Sequence, residues 1–341
     1  MKSLMKTKAI LLGMLVVCLS IFSSCSKDSS DDSKNSGNQV TVYTSGTELG
    51  KAVVRKNGGV LYTISNGTAK SGASAVFVSG KDVYASGSEE GASGKRIAKI
   101  WKNGSELFTL TDGSGNSEAL SLFVSGKDVY AAGWEQTSNR YAAWLWKNTE
   151  ATKLNHPLVS SVAHGVFVSE GNVYVTGSLS SQAAIFKNGM QLYTLADKDN
   201  VSDAEDVFVS GNDVYATGWE EEKGSGKRAI GKVWKNGSVL FILSDGTKPV
   251  FPQSIYISGT DIYVAGYEEN SDRKPSAKVW KNGVEMNLID GSNDFYATDV
   301  YVLDGDVYVS GGNYSGTGKV WKNGKVLYTL PGIATSIFIV K

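Results

Sequence analysis

Cysteine and histidine are scarce in this chain, with two of each among 341 residues. Two cysteines cannot staple a small secreted scaffold, and two histidines cannot build a histidine-rich metal site. Neither sign of charge is in excess, because lysine plus arginine and aspartate plus glutamate number 34 each. Without an excess of basic residues to neutralise phosphates, a nucleic-acid-binding protein is not expected.

Proline is also rare, at five residues, whereas glycine is abundant at 39. No window shows a convincing 3.6-residue hydrophobic period, so no helical domain is predicted. A Gly-x-Ser-x-Gly elbow, a P-loop or a dinucleotide-binding fingerprint in a strand-to-helix context is missing as well. We therefore expect no cofactor and no metal, and we assign no catalytic residue.

The first 24 residues have the pattern of a secretory signal. Lys2, Lys6 and Lys8 precede an apolar run at 9–22, which is short for a membrane span and typical of a signal-peptide core. Small residues then lead to Cys25, and this arrangement resembles the lipobox of bacterial lipoproteins. The resemblance implies cleavage before Cys25 and a lipid on that cysteine. The alternative is an ordinary secretory signal with a chance cysteine.

Residues 25–39 are predicted to be the lipidated cysteine and a flexible tether, because 26–38 contain no apolar residue. Lys27-Asp28 and Asp31-Asp32 resemble the acidic surface-export signal behind the lipobox of Bacteroidetes lipoproteins, which implies an outer-membrane anchor facing the cell exterior. Loss of residues 1–24 would remove three lysines and Cys18, leaving a net charge of −3. The folded domain would then contain no thiol, which excludes disulfides and thiolate chemistry.

One sequence unit recurs through residues 40–341. Each copy has a tyrosine in an apolar run and, later, the lysine of a Lys-Asn-Gly turn or a variant of it, and both series have seven members spaced 40–48 residues apart. Four short runs per unit, rich in β-branched and aromatic residues, predict strands a to d. Asn-Gly between strands c and d suits a type I′ hairpin. The tyrosines are Tyr43, Tyr84, Tyr130, Tyr174, Tyr215, Tyr263 and Tyr308; the lysines are Lys56, Lys102, Lys147, Lys187, Lys235, Lys281 and Lys322.

Repeated units of four antiparallel strands are typical of β-propeller blades. Residues 40–64 supply only strands b, c and d, and 334–341 supply a lone strand a. We therefore predict an all-β, seven-bladed β-propeller closed by pairing of the C-terminal strand with the incomplete N-terminal blade. Consecutive apolar residues predict that strands a and b are buried on both faces, and a glycine ending strand b predicts a bulge or a close approach. The pattern resembles seven-bladed propellers generally.

The candidate site is expected on the face that carries the b–c and d–a connections, around the channel mouth, because these connections are long and variable. Trp134, Trp219 and Tyr267 follow the strand-b glycine on this face. Their rings could stack on a sugar, or they could pack between blades.

A ring of residues at the start of strand a is the second candidate. Its ionisable members are His164, Glu205, Asp206 and Asp299, which could bind a ligand or do acid–base work, or could only cap strand ends. The ring consists of Ser74-Ala75, Leu120-Ser121, His164-Gly165, Glu205-Asp206, Gln253-Ser254, Thr298-Asp299 and Thr335-Ser336.

The leading hypothesis is a non-enzymatic, monomeric binding or scaffold protein on the cell surface, held to the membrane by its N-terminal lipid alone. Its ligand would be a glycan or another cell-envelope protein. One alternative is a polysaccharide-degrading hydrolase or lyase that uses carboxylates at the channel mouth. Another is a structural subunit of a lipoprotein complex. Nothing in the repeat itself selects among these, since propellers serve many functions.

Overall fold

The computed structural model describes residues 40–65, 69–154, 159–197, 199–222, 228–286 and 293–341. These residues form 28 strands in seven four-stranded antiparallel sheets, and none of them lies in a helix. The predicted all-β, seven-bladed propeller is confirmed. The predicted signal peptide, Cys25 and the tether to residue 39 lie outside the described residues.

Blade 1 is completed by the last strand of the chain. It contains β1 (Thr41–Glu48), β2 (Lys51–Lys56), β3 (Gly59–Thr63) and β28 (Ile333–Val340). Strand β28 pairs with β1 along its length, from Thr41 opposite Val340 to Thr47 opposite Ile333. The predicted closure is therefore confirmed, and the pairing removes a free strand edge at each end of the chain.

Blades 2 to 7 each use four consecutive strands, with strand a innermost and strand d at the rim. Blade 2 contains β4 (Ser71–Ser79), β5 (Asp82–Glu90), β6 (Arg96–Lys102) and β7 (Ser105–Thr109). Blade 3 contains β8 (Ser117–Ser125), β9 (Asp128–Thr137), β10 (Arg140–Lys147) and β11 (Glu150–Lys153). Blade 4 contains β12 (Ser161–Ser169), β13 (Asn172–Leu179), β14 (Gln182–Lys187) and β15 (Met190–Thr194). Blade 5 contains β16 (Val201–Ser210), β17 (Asp213–Glu221), β18 (Ile230–Lys235) and β19 (Ser238–Ile242). Blade 6 contains β20 (Val250–Ser258), β21 (Asp261–Glu269), β22 (Pro275–Lys281) and β23 (Val284–Met286). Blade 7 contains β24 (Tyr296–Leu303), β25 (Asp306–Gly312), β26 (Thr317–Lys322) and β27 (Lys325–Pro331).

The recurring tyrosine and lysine belong to one cluster on strands b and c, illustrated by blade 2. Tyr84 lies opposite Lys102, whose Nζ is 5.2 Å from the tyrosine ring centroid and 2.8 Å from Asp82 Oδ2. Asn103 and Gly104 have φ angles of 50° and 81°, as the predicted type I′ turn requires. The residues that define the repeat thus hold the b–c–d meander of each blade together.

Strands a and b differ in burial, which corrects one prediction. In blade 2, strand b is buried at seven consecutive residues, as expected for a strand packed between neighbouring blades. Strand a instead alternates between buried and half-buried residues. The prediction that both faces of strand a are buried was wrong, because this innermost strand also borders the axial channel.

Every blade carries a β-bulge at the start of strand a, opposite the glycine of strand b. In blade 4 a Cβ on Gly177 would lie 1.9 Å from the carbonyl oxygen of Val162, so only glycine fits. The predicted association of this glycine with a bulge is confirmed. The bulged residues are Ser74, Leu120, His164 with Gly165, Glu205, Gln253, Thr298 and Thr335.

Candidate functional site at the channel mouth

The seven bulges bring the predicted ring together at one end of the channel. All of its residues line a single cavity of about 200 Å³. A bulge re-aims a side chain relative to the flanking strand, and bulges are frequent beside functional sites. The location predicted for the ring is therefore what the structure shows, while its use by a ligand stays a prediction.

A closed ring of aromatic side chains lies further along strand a. Neighbouring ring centroids are 4.6–5.2 Å apart, and neighbouring planes are tilted by 43–59°. Sevenfold rotation tilts successive planes by about 51° when each plane is parallel to the propeller axis. The members are Phe77, Phe123, Phe167, Phe208, Tyr256, Tyr301 and Phe338.

The ring of aromatic side chains narrows the channel. The centroid spacing is smaller than the width of a phenyl group, so the side chains cannot lie side by side facing the axis and instead turn an edge toward it. These aromatic residues line a second cavity of about 330 Å³, and Asp206 and Asp299 line both cavities. The mouth therefore continues into the channel as far as the aromatic side chains.

The second residue of the bulge links neighbouring blades at most of the junctions. At five of the seven junctions a serine or aspartate oxygen accepts a hydrogen bond from the backbone N–H that follows the bulge of the next blade. The five pairs are Ser121 with Val166 (3.1 Å), Asp206 with Ile255 (2.9 Å), Ser254 with Val300 (3.4 Å), Asp299 with Ile337 (2.9 Å) and Ser336 with Val76 (3.4 Å). Ala75 and Gly165 occupy this position at the other two junctions.

Asp206 and Asp299 are therefore interblade acceptors as well as mouth residues. Asp299 accepts hydrogen bonds from Ser254 Oγ (2.7 Å) and Ser336 Oγ (2.8 Å) in addition to two backbone amides. Burial raises the pKa of both carboxyl groups. The pKa of Asp206 is raised to about 7, chiefly by burial and in part by the charge of Asp299. Much of their hydrogen-bonding capacity is already used within the protein.

The junction between blades 4 and 5 is built differently. Its bulge contains two residues, His164 and Gly165, and His164 Nε2 lies 3.1 Å from Asp203 Oδ2 while its Nδ1 lies 3.6 Å from Glu205 Oε2. Ser178 Oγ donates to the same Asp203 oxygen at 3.2 Å. The side chains of the histidine and the two acids are 18–21% exposed, so this charged group is accessible from the mouth.

Burial and charge act in opposite directions on this group. Burial alone would lower the pKa of His164, but the carboxylates of Glu205 and Asp203 outweigh it and raise the pKa to about 9. Burial raises the pKa of Glu205, and the charge of Asp203 adds to this effect while the imidazolium opposes it. A positive imidazolium between two acids is therefore the state of the mouth near neutral pH.

Trp219 and Tyr267, but not Trp134, lie beside this group. The rings of Trp219 and Phe251 are 5.9 Å apart, and those of Phe251 and Tyr267 are 5.2 Å apart. A hydrogen bond links Trp219 to Glu205 at the mouth. Trp134 is instead covered by Arg96, whose Cζ lies 5.0 Å from its ring centroid, so that the three predicted aromatic residues do not form one platform.

The row of aromatic rings extends beyond the predicted residues. Tyr296 is 6.1 Å from Tyr267 and 5.6 Å from Tyr314, which is 73% exposed. We call Trp219, Phe251, Tyr267, Tyr296 and Tyr314 the aromatic run.

Sequence reasoning missed Phe251, Tyr296 and Asp203, although a regular signal marks them. All three stand two residues before a bulge, a position that can be found by counting back within each repeat copy. Tyr314 and Ser178 carry no such mark, because Tyr314 lies in a connection and serine is common on strand b.

The fold and the mouth define the class of this molecule as a seven-bladed β-propeller whose axial channel opens at a ring of bulged residues. In comparisons with known proteins, the chain matches no family model and no curated sequence. Within the described part of the chain, no helix is long and apolar enough to cross a membrane. No group of three or more His, Cys, Asp or Glu side chains there is arranged to hold a metal ion.

Proposed function

We propose that this protein is a binding protein whose ligand is a glycan, bound at the channel mouth and the adjoining aromatic run. The aromatic run is the observation that carries the proposal. Half-buried rings beside hydrogen-bonding side chains suit a sugar, which has apolar C–H faces and polar edges.

Binding to a glycan array tests this function. The wild-type protein is expected to bind. Trp219→Ala should weaken binding at least about tenfold, since Trp219 is the member of the aromatic run that is hydrogen-bonded to Glu205 at the mouth. Trp134→Ala is the matched control, because Arg96 covers that ring. Equal losses in both variants, or a folded protein that binds no glycan, would refute the proposal. Co-purification of an envelope protein by a folded protein that binds no glycan would favour the scaffold alternative.

A second candidate function is cleavage of a polysaccharide, and the His164–Asp203–Glu205 group favours it. A carboxyl group with a raised pKa beside a second carboxylate suits acid–base catalysis. Incubation with the polysaccharides that the array identifies tests this alternative. Release of reducing or unsaturated ends that Glu205→Gln abolishes would establish an enzyme, whereas binding without turnover supports the binding protein.

We also propose that the propeller is lipid-anchored at the outer membrane through Cys25 and faces the cell exterior. The lipobox-like sequence before Cys25 and the acidic, apolar-free stretch after it support this location. Metabolic labelling with radioactive palmitate should mark the wild-type protein and not Cys25→Ser. Protease added to intact cells should then degrade the propeller, and a protected protein would contradict the outward orientation.

A further inference from the structure

The aromatic run is restricted to one side of the mouth. It begins at Trp219 in blade 5, passes through Phe251 and Tyr267 in blade 6, and ends at Tyr296 and Tyr314 in blade 7. In every blade, the residue two positions before the bulge of strand a lies opposite a residue of strand b. In blades 2, 3, 4 and 1 these facing pairs are Gly72 with Ser88, Glu118 with Trp134, Val162 with Ser178 and Ile333 with Thr47. A ligand that stacks on these aromatic rings would therefore lie across blades 5 to 7.

The run is long enough for several sugar units. Consecutive centroids are separated by 5.2–6.1 Å, close to the length of one pyranose unit in an extended chain. The path from Trp219 to Tyr314 is at most about 23 Å, which exceeds any single sugar. Exposure is greatest at the outer end, where Tyr314 lies in the connection between β25 and β26.

Charge at the mouth restricts the chemistry of the ligand. Four carboxyl groups lie in or beside the mouth (Asp203, Glu205, Asp206 and Asp299), against the one imidazole of His164. Hydroxyl and ammonium groups can donate hydrogen bonds to these oxygens. An ionised uronate, sialate or sulfate group has no proton to donate to these oxygens and would meet like charge wherever they are ionised.

We propose that the ligand is an extended oligosaccharide without acidic groups, whose terminal unit enters the mouth and whose following units lie along the aromatic run as far as Tyr314. This inference rests on the proposed glycan-binding function. It adds the length of the ligand, its direction across blades 5 to 7 and its charge class.

An array of neutral, amino-sugar and acidic oligosaccharides in stepped lengths, probed with the full chain, tests the inference. Binding should be confined to neutral and basic chains and should strengthen with each added unit up to about four. Tyr314→Ala should weaken binding of the longer chains by about fivefold to tenfold and leave the shortest ligand unchanged. Tyr141→Ala is the matched control, because Tyr141 is 42% exposed and packs on Trp134 away from the run.

Glu205→Gln separates the contribution of charge from that of shape. It keeps the size of the side chain and should raise the relative binding of acidic oligosaccharides. Preference of the wild-type protein for acidic chains, or binding that is independent of length and unaffected by Tyr314→Ala, would overturn the inference and leave glycan binding intact. A folded protein that binds no glycan would overturn the proposed function as well, so the two failures are distinguishable.

Discussion

Titration of His164 should make the stability of the propeller depend on pH between neutral and pH 9. The imidazolium between Asp203 and Glu205 holds the junction of blades 4 and 5, where Gly165 provides no side-chain acceptor. The pKa of His164 is raised from 6.5 to about 9 in the folded protein. The folded state therefore binds the proton more tightly, so this stabilisation is complete below pH 6.5 and is lost as the pH rises through 9.

The size of the effect follows from the two pKa values. Proton linkage gives a loss of about 2 kcal/mol in the free energy of unfolding between pH 7 and pH 9. The raised pKa of Asp206, about 7, also lowers stability as the pH rises, but mainly below neutral pH. The pKa values of Glu205 and Asp299 are raised as well, so the contribution of His164 is the part of the pH dependence that His164→Gln removes.

Urea unfolding at pH 7, 8 and 9, followed by tryptophan fluorescence, measures this dependence. The wild-type protein should lose stability across the series, whereas His164→Gln should be less stable at pH 7 and should depend much less steeply on pH. The His164 ring resonance, assigned by its loss in His164→Gln, should titrate near pH 9. A titration near pH 6.5, or a pH slope that His164→Gln retains, would refute the electrostatic account of this junction.

Two further predictions concern the bulges and the interblade hydrogen bonds. Gly177→Ala should lower the free energy of unfolding by about 2–4 kcal/mol, because its Cβ would lie 1.9 Å from a backbone oxygen that cannot move aside. Gly59→Ala is the control: its nearest contact is at 3.6 Å, and it should change the free energy of unfolding by less than about 1 kcal/mol. Equal effects of the two variants in urea unfolding would contradict the requirement for glycine opposite the bulge. Ala75→Ser should raise the free energy of unfolding by about 0.5–1 kcal/mol by supplying the acceptor that its junction lacks, whereas Ser336→Ala should lower it; an unchanged denaturation midpoint in both variants would show that these bonds contribute nothing.

The internal repeat made the architecture predictable. Tyr84 and Lys102 mark positions that recur seven times and indicated the number of blades, while the four apolar runs in each unit indicated the number of strands. The lone strand at 334–341 then had only the incomplete first blade as a partner. Counting back from the strand-a aromatic residue also placed the ring of the mouth correctly, because each copy has the same length between the bulge and that residue.

Contacts between blades were not predictable in the same way. His164 and Asp203 are 39 residues apart, and their contact depends on a two-residue bulge in one blade meeting a one-residue bulge in the next. Trp134 and Trp219 occupy the same position of the repeat, yet Arg96 covers one while Phe251 packs against the other. Their repeat position does not distinguish them, since the difference lies in residues from adjoining blades.

The sequence by itself determined what depends on neighbouring positions along the chain: strands from short runs of β-branched and aromatic residues, hairpins from Asn-Gly, and the number of blades from repetition. Tertiary structure decided which side chains meet across blades, which oxygens are already used by backbone amides, and which face of strand a borders the channel. Such pairings follow from closure of the ring, which sets side chains from different blades within a few ångströms of each other. The scarce histidine therefore gained its role only when β12 and β16 were placed side by side.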